Sequence, residues 1–185
     1  MGSGEEDNGQ FDKNEEIFGV SGCLPAYRKK ALDEVGYFDD SSKTLEALDK
    51  KFFLYKEDID LAFRLQYAGW KAYRVGNAFA YHERGIGGNE KLNDISAAIN
   101  RKNRSKIEKY LSYRNHLYLL IKNLSLPDFL RYGIFIIFYE LKKFVYILLF
   151  NQRTLLALRD IFKNLPELLK QRKSVKLRSV KEFIK

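Results

Sequence analysis

Apolar residues recur at helical spacing through the second half of the chain. In "FLRYGIFIIFYELKKFVYILLF" (129–150) Leu130, Ile134, Ile137, Phe138, Leu141, Phe144, Val145 and Leu148 fall on one face, the period of an amphipathic helix. Arg131, Tyr139, Lys142 and Lys143 fall on the other side. The preceding stretch, "RSKIEKYLSYRNHLYLLIKNL" (104–124), repeats Ile107, Leu111, Leu117, Leu120, Ile121 and Leu124 at the same period, with Pro127 as punctuation. The last stretch, "RTLLALRDIFKNLPELLKQRKSVKLR" (153–178), is amphipathic and basic, and Pro166 predicts a break in its helix. No internal repeat is visible.

The first half has a different rhythm. "EIFGVSG" (16–22) has strand propensity, and "YRKKALDEVG" (27–36) predicts a short helix ended by Gly36. Loop chemistry at 39–42 leads into a helical turn and an aromatic cluster, "FFLY" (52–55). "EDIDLAFRLQYAG" (57–69) predicts a helix with acids in its first turn and Gly69 at its end. "WKAYRVGNAFAYHE" (70–83) predicts two short strands around Gly76-Asn77. "RGIGGNEKLND" (84–94) is a glycine-rich loop, either closing over a substrate or plain surface.

Length and composition bound the class. A chain of 185 residues holds one full domain or a domain with an appendage, and 45% hydrophobic with 15% aromatic content marks it as folded. Cys23 stands alone, which excludes a disulfide framework and fits a reducing compartment such as the cytoplasm. Residues 1–14 show no apolar signal core and read as a disordered tail or an expression scar.

Charge splits the chain. Residues 1–60 carry 8 Lys/Arg against 15 Asp/Glu, whereas residues 101–185 carry 20 against 6. A basic back attracts anions, with nucleic acid and anionic lipid as first candidates. No nucleic-acid recognition motif accompanies it, so the expected partner is an anionic membrane surface and not nucleic acid. Glu140, Lys142 and Lys143 interrupt the apolar run at 129–150, which argues against a membrane crossing. A basic amphipathic helix suits the membrane interface; the alternative is a helical hairpin closing a soluble core.

The residues that bear on chemistry are Glu57 and Asp58. Acids in a first helical turn face the positive end of the helix dipole, worth about 0.3–1 kcal/mol, and Asp60 and Arg64 stand four apart and can pair. The other reading makes one carboxylate a general base, held at a helix start on the rim of a cleft.

"GCLPAYRKKALDEVGYFDD", "KKFFLYKEDIDLAFRLQYAGWKAYRV" and "NAFAYHERG", in that order, resemble the C-terminal half of the catalytic domain of family-2 glycosyltransferases. These are the inverting GT-A type, and the likeness is to bacterial rhamnosyltransferase-like members. The matching residues include Gly22, Tyr27-Arg28, Gly36, Phe38-Asp39, Phe52-Phe53, Tyr55, Glu57-Asp58, Asp60-Leu61, Arg64, Gly69-Trp70 and His82. The family's downstream pattern continues as Arg114-Asn115 and Lys122-Asn123. The resemblance covers roughly residues 15–90.

It implies an α/β fold: a partial GT-A-type (nucleotide-diphospho-sugar transferase) domain at 15–98, followed by amphipathic C-terminal helices at 99–185. It implies Asp58 as the catalytic base, with Glu57 orienting the site or touching acceptor, and Arg64 and Trp70 on the acceptor side. For Trp70, core packing is the other reading. It implies His82 as a ligand of a divalent metal, Mn or Mg, at the sugar-nucleotide diphosphate. The substrates would be a nucleotide-sugar and a glycan or lipid-linked acceptor of cell-surface polysaccharide synthesis, at the cytoplasmic face of the membrane, peripherally bound. The family's nucleotide-binding half, with its metal-ligating aspartates, has no counterpart before residue 15, since a strand-helix-strand unit needs about 30 residues. A partner chain, a homo-oligomer or a truncated gene would each account for that. The alternative is a non-catalytic membrane-docking or partner module for a complete glycosyltransferase. His116 has no motif support and is expected to make a polar contact between helices.

Overall fold

The computed structural model describes residues 8–39, 42–78 and 104–175. Its elements run β1 (Glu15–Ile17), α1 (Lys29–Val35), β2 (Tyr37–Asp39), β3 (Thr44–Glu46), α2 (Glu57–Tyr67), β4 (Ala72–Arg74), α3 (Lys106–Asn123), α4 (Leu126–Phe150), a 3-10 turn (Gln152–Leu155) and α5 (Leu156–Lys173). The chain is mixed α/β. β1 pairs antiparallel with β4, Glu16 opposite Tyr73, and β2 pairs with β3, Phe38 opposite Leu45.

Two local expectations are corrected. The helical turn expected after 42 is instead the second strand of a hairpin. Lys43 takes a positive φ of 56° at the turn, and Thr44–Glu46 gains ladder bonds from Tyr37–Asp39 that a lone helical turn would lack. The break expected at Pro166 does not occur, and α5 runs through it. Pro166 and Phe162, four residues before it, are both exposed. The carbonyl that proline leaves without a helical N–H therefore falls on the solvent side, where water can take it. The strand expected at 16–22 shortens to Glu15–Ile17 because the chain then turns against α2. A Cβ on Gly19 would stand 2.3 Å from that of Ala62, so only glycine fits. Among the described residues β4 finds its partner in β1. The second strand expected after Asn77, the 84–94 loop and His82 lie outside the described residues.

α3 is the axis of the structure. A capping box opens it, with Ser105 Oγ accepting from the Glu108 N–H and Glu108 Oε2 accepting from the Ser105 N–H at 2.7 Å. Arg172 of α5 closes it, donating to the carbonyls of Ile121 and Leu124 at 2.7 Å each. A cation there also favours the negative end of the helix dipole. Phe52 from the loop before α2, Tyr118 of α3, and Ile161 and Leu168 of α5 form one apolar core; Tyr113, Ile147 and Ala157 form a second joining α3, α4 and α5. α4 runs back along α3, tied by His116 Nε2 and Glu140 Oε1 at 2.6 Å. His116 thus makes the interhelical polar contact expected of it.

Candidate functional site

Glu57 and Asp58 open α2 after an unusual entry. Phe53, Tyr55 and Lys56 have φ of 59°, 73° and 70°, a left-handed conformation that costs a non-glycine residue about 1 kcal/mol or more. Such a segment persists only when its surroundings fix it, and α3 does the fixing. Asn115 Nδ2 lies 2.8, 2.7 and 2.9 Å from the carbonyl oxygens of Phe52, Leu54 and Tyr55. Arg114 Nη2 donates to the carbonyls of Lys51 and Phe52 at 2.7 and 3.2 Å. Tyr55 in turn donates its hydroxyl to Glu108 Oε1 at 2.9 Å. The angle at which the two acids leave the loop is therefore set by a helix about sixty residues further along.

Beneath the acids lies a buried ionic network. Lys122 Nζ bridges Asp49 Oδ2 at 2.7 Å and Asp60 Oδ1 at 2.9 Å, under the rings of Tyr37 and Phe52. Arg64 Nε meets Asp60 Oδ2 at 3.0 Å, and Asn123 Nδ2 donates to Asp60 Oδ1 at 3.0 Å. Two aspartates face two cations, so the buried charge balances and each carboxylate has charged hydrogen-bond donors, which burial requires. Burial works against the charge of Asp49. Lys122's charge and hydrogen bond, with the Lys51 N–H, outweigh it and hold the carboxyl below its ordinary value. Burial, with the Asp60 charge, pushes the Tyr37 phenol well above the usual range.

Asp58 is in a different setting. It is half-buried, its Oδ2 accepts the Gly22 N–H at 3.0 Å, and its Oδ1 accepts the Ile59 N–H at 2.8 Å. A carboxylate oxygen has two acceptor directions, so each keeps one for a substrate hydroxyl. Burial and then the Asp58 charge raise the pKa of Tyr27. Glu57 Oε2 is buried without a hydrogen-bond partner among the described residues. An orphaned buried oxygen calls for an explanation, and a bound hydroxyl is one.

A cavity of about 260 Å³ opens between the 18–20 segment, α1, α2 and β4, with Phe18, Tyr27, Arg28, Gln66, Trp70 and Tyr73 in its lining. Trp70 is half-buried there and donates its indole N–H to Glu34 Oε2 at 3.0 Å.

The structure sets Glu57 and Asp58 side by side at the start of α2 and places Trp70 in the cavity lining. It buries Arg64. Arg64 is 2% exposed, with Nη1 on the Val35 carbonyl and Nη2 on the Ala47 carbonyl at 2.6 Å each, besides its Asp60 pair. A guanidinium with all three nitrogens engaged inside the fold cannot also reach an acceptor, so the expected acceptor contact is corrected to a framework role. Sequence reasoning named the pairs Arg114-Asn115 and Lys122-Asn123 but gave them no role. Asp49 it missed altogether, because no spacing links a lone aspartate to a lysine 73 residues on.

Comparison with protein-family models, with curated proteins and with solved structures finds no match. Among the described residues no three His, Cys, Asp or Glu side chains gather as a ligand set. His82, the expected metal ligand, lies outside the described residues.

Proposed function

We propose that this chain carries the acceptor side of an inverting glycosyl transfer, in which a sugar passes from a nucleotide-sugar to a glycan or lipid-linked hydroxyl. The reading rests on the resemblance of residues 15–90. One observation carries it furthest: Asp58 stands fixed by the Gly22 N–H with acceptor capacity to spare, next to a Glu57 oxygen that lacks a partner among the described residues. In this reading the acceptor hydroxyl gives its proton to Asp58 as its oxygen bonds to the anomeric carbon. The bond from that carbon to the nucleoside diphosphate breaks, and the leaving group takes the electron pair. Glu57 holds a second hydroxyl of the acceptor, and the cavity beside Trp70 takes its apolar faces.

The test, with the donor-binding half restored to the chain, is transfer of labelled sugar from a panel of nucleotide-sugars, with Mn²⁺ or Mg²⁺, to glycan and glycolipid acceptors. A positioned base contributes about 10²- to 10⁴-fold, so Asp58→Asn is expected to lower transfer by that range while thermal unfolding stays unchanged. Undiminished turnover in that variant would overturn the assignment of the base. Titration with the same nucleotide-sugars separates donor binding from chemistry, and saturable binding by the variant is expected.

A further inference from the structure

The most apolar helix among the described residues exposes its apolar face. α4 presents Leu130, Ile134, Phe138, Leu141, Val145 and Leu148 to solvent, with Leu130, Ile134 and Phe138 exposed to 77%, 75% and 71%. At 100° per residue these six fall within an arc of about 80°. The opposite stripe, Gly133, Ile136, Glu140, Lys143, Phe144 and Ile147, is the one turned inward. An apolar surface of this extent on a folded chain marks an interaction site.

Its chemistry selects the occupant. Arg131 and Lys142, both exposed, follow along one edge of the arc, and Tyr132, Tyr139 and Tyr146 run one heptad apart beyond them. The two acids of α4 are turned away: Glu140 is held inward by His116 and Lys143, and Asp128 is buried against Ser125. The exposed face thus carries cations and no anion. A second copy laid on this face would bring two basic edges together with no acid to meet them. An anionic bilayer offers hydrocarbon for the arc and headgroup charge for the edge, and tyrosines favour that boundary because one end of the ring is apolar and the other wet. No helix among the described residues is long and apolar enough to cross a membrane, so a crossing is not the geometry that fits.

We infer that α4 lies flat in the interface of an anionic lipid surface, its apolar arc among the acyl chains and Arg131, Lys142 and the tyrosine row at headgroup level. The helix, 25 residues long, spans about 37 Å in the membrane plane. The inference goes beyond the transfer reading and stands if that reading fails.

Flotation of the full chain with phosphatidylcholine vesicles, with and without phosphatidylglycerol, tests it. The expected result is binding that strengthens with phosphatidylglycerol and weakens with salt. The double variant Ile134→Asn, Phe138→Asn is expected to lose at least about tenfold in vesicle affinity, with its circular dichroism and thermal unfolding unchanged. Arg131→Gln should weaken binding to the anionic vesicles alone. Unchanged affinity in the folded double variant would overturn the inference, because charge elsewhere would then suffice. So would a dimer in lipid-free buffer that the same two substitutions dissociate, since the face would then belong to a second copy.

Discussion

α3 and α4 are neighbours in sequence and of similar make, yet their places in the structure are reversed from what apolarity alone would assign. α4 has the higher density of large apolar side chains, and most of them are exposed. α3, interrupted by Arg114, Asn115, Lys122 and Asn123, is the one that enters the core, and it buries Asn115, Lys122 and Asn123. The difference teaches what decides burial here. A helix goes inside when its polar groups meet complementary ones, and α3 meets the Asp49–Asp60 pair and the bare carbonyls of the 51–55 loop. α4 offers one inward polar stripe, Glu140 and Lys143, and α3 answers it with one histidine.

The sharpest way to break this contrast is at Lys122. Lys122→Met removes the cation between two buried aspartates; Arg64 still pairs with Asp60, but Asp49 is left buried without a cation, which costs about 3–5 kcal/mol. Urea unfolding should show that loss in the midpoint. Asn115→Ala comes next: the Leu54 and Tyr55 carbonyls lose their donor, while that of Phe52 keeps Arg114, a cost of about 1–3 kcal/mol for groups left buried and unpaired. The loop should then open ahead of the rest of the fold, visible as earlier proteolytic cleavage near residue 53.

Acid should act on the same elements. Asp49 and Glu140 are held below their ordinary values of 3.8 and 4.5 by Lys122 and by His116 with Lys143, against the opposing effect of burial. A depressed folded value means the stabilisation is complete above the ordinary value and is lost as the pH falls through the folded one. Thermal unfolding followed by circular dichroism should therefore hold steady down to about pH 5 and weaken below about pH 4. Lys122→Met should flatten the Asp49 part of that profile.

The smallest effect belongs to α4. In lipid-free buffer Ile134→Asn and Phe138→Asn should each change stability by no more than about 0.5 kcal/mol, because surface positions away from a cap or network do little. The same substitutions in a buried stripe would cost several times that. Equal losses from α4 and from Lys122 would erase the distinction between the two helices.

Much of this was legible in the residues. The 3.6 period located α3 and α4, Gly36 and Gly69 marked the ends of α1 and α2, and the four-residue spacing foretold the Asp60–Arg64 pair. What the period could not say is which side of a helix faces in. The apolar stripe of α4 and the basic residues of α3 look alike, in isolation, to those of a helix packed the other way. Lys122 reads as part of a solvated basic face until Asp49 and Asp60 are brought to it by the fold. The β2–β3 hairpin was hidden for the same reason, since a three-residue strand exists only through its partner. In the candidate site, Asp58 and Glu57 were visible by motif, and Arg64 was misplaced because a buried framework arginine and a substrate-binding one look the same in sequence.

The central claim is that α3, through Asn115, holds the loop that presents Glu57 and Asp58. Hydrogen exchange by mass spectrometry on the intact chain and on Asn115→Ala tests it most directly. The account predicts that Asn115→Ala speeds exchange over 51–60 while α4 and α5 exchange as before. Unchanged protection over 51–60 in a variant of normal fold would contradict it, for the acid-bearing loop would then stand without the helix said to hold it.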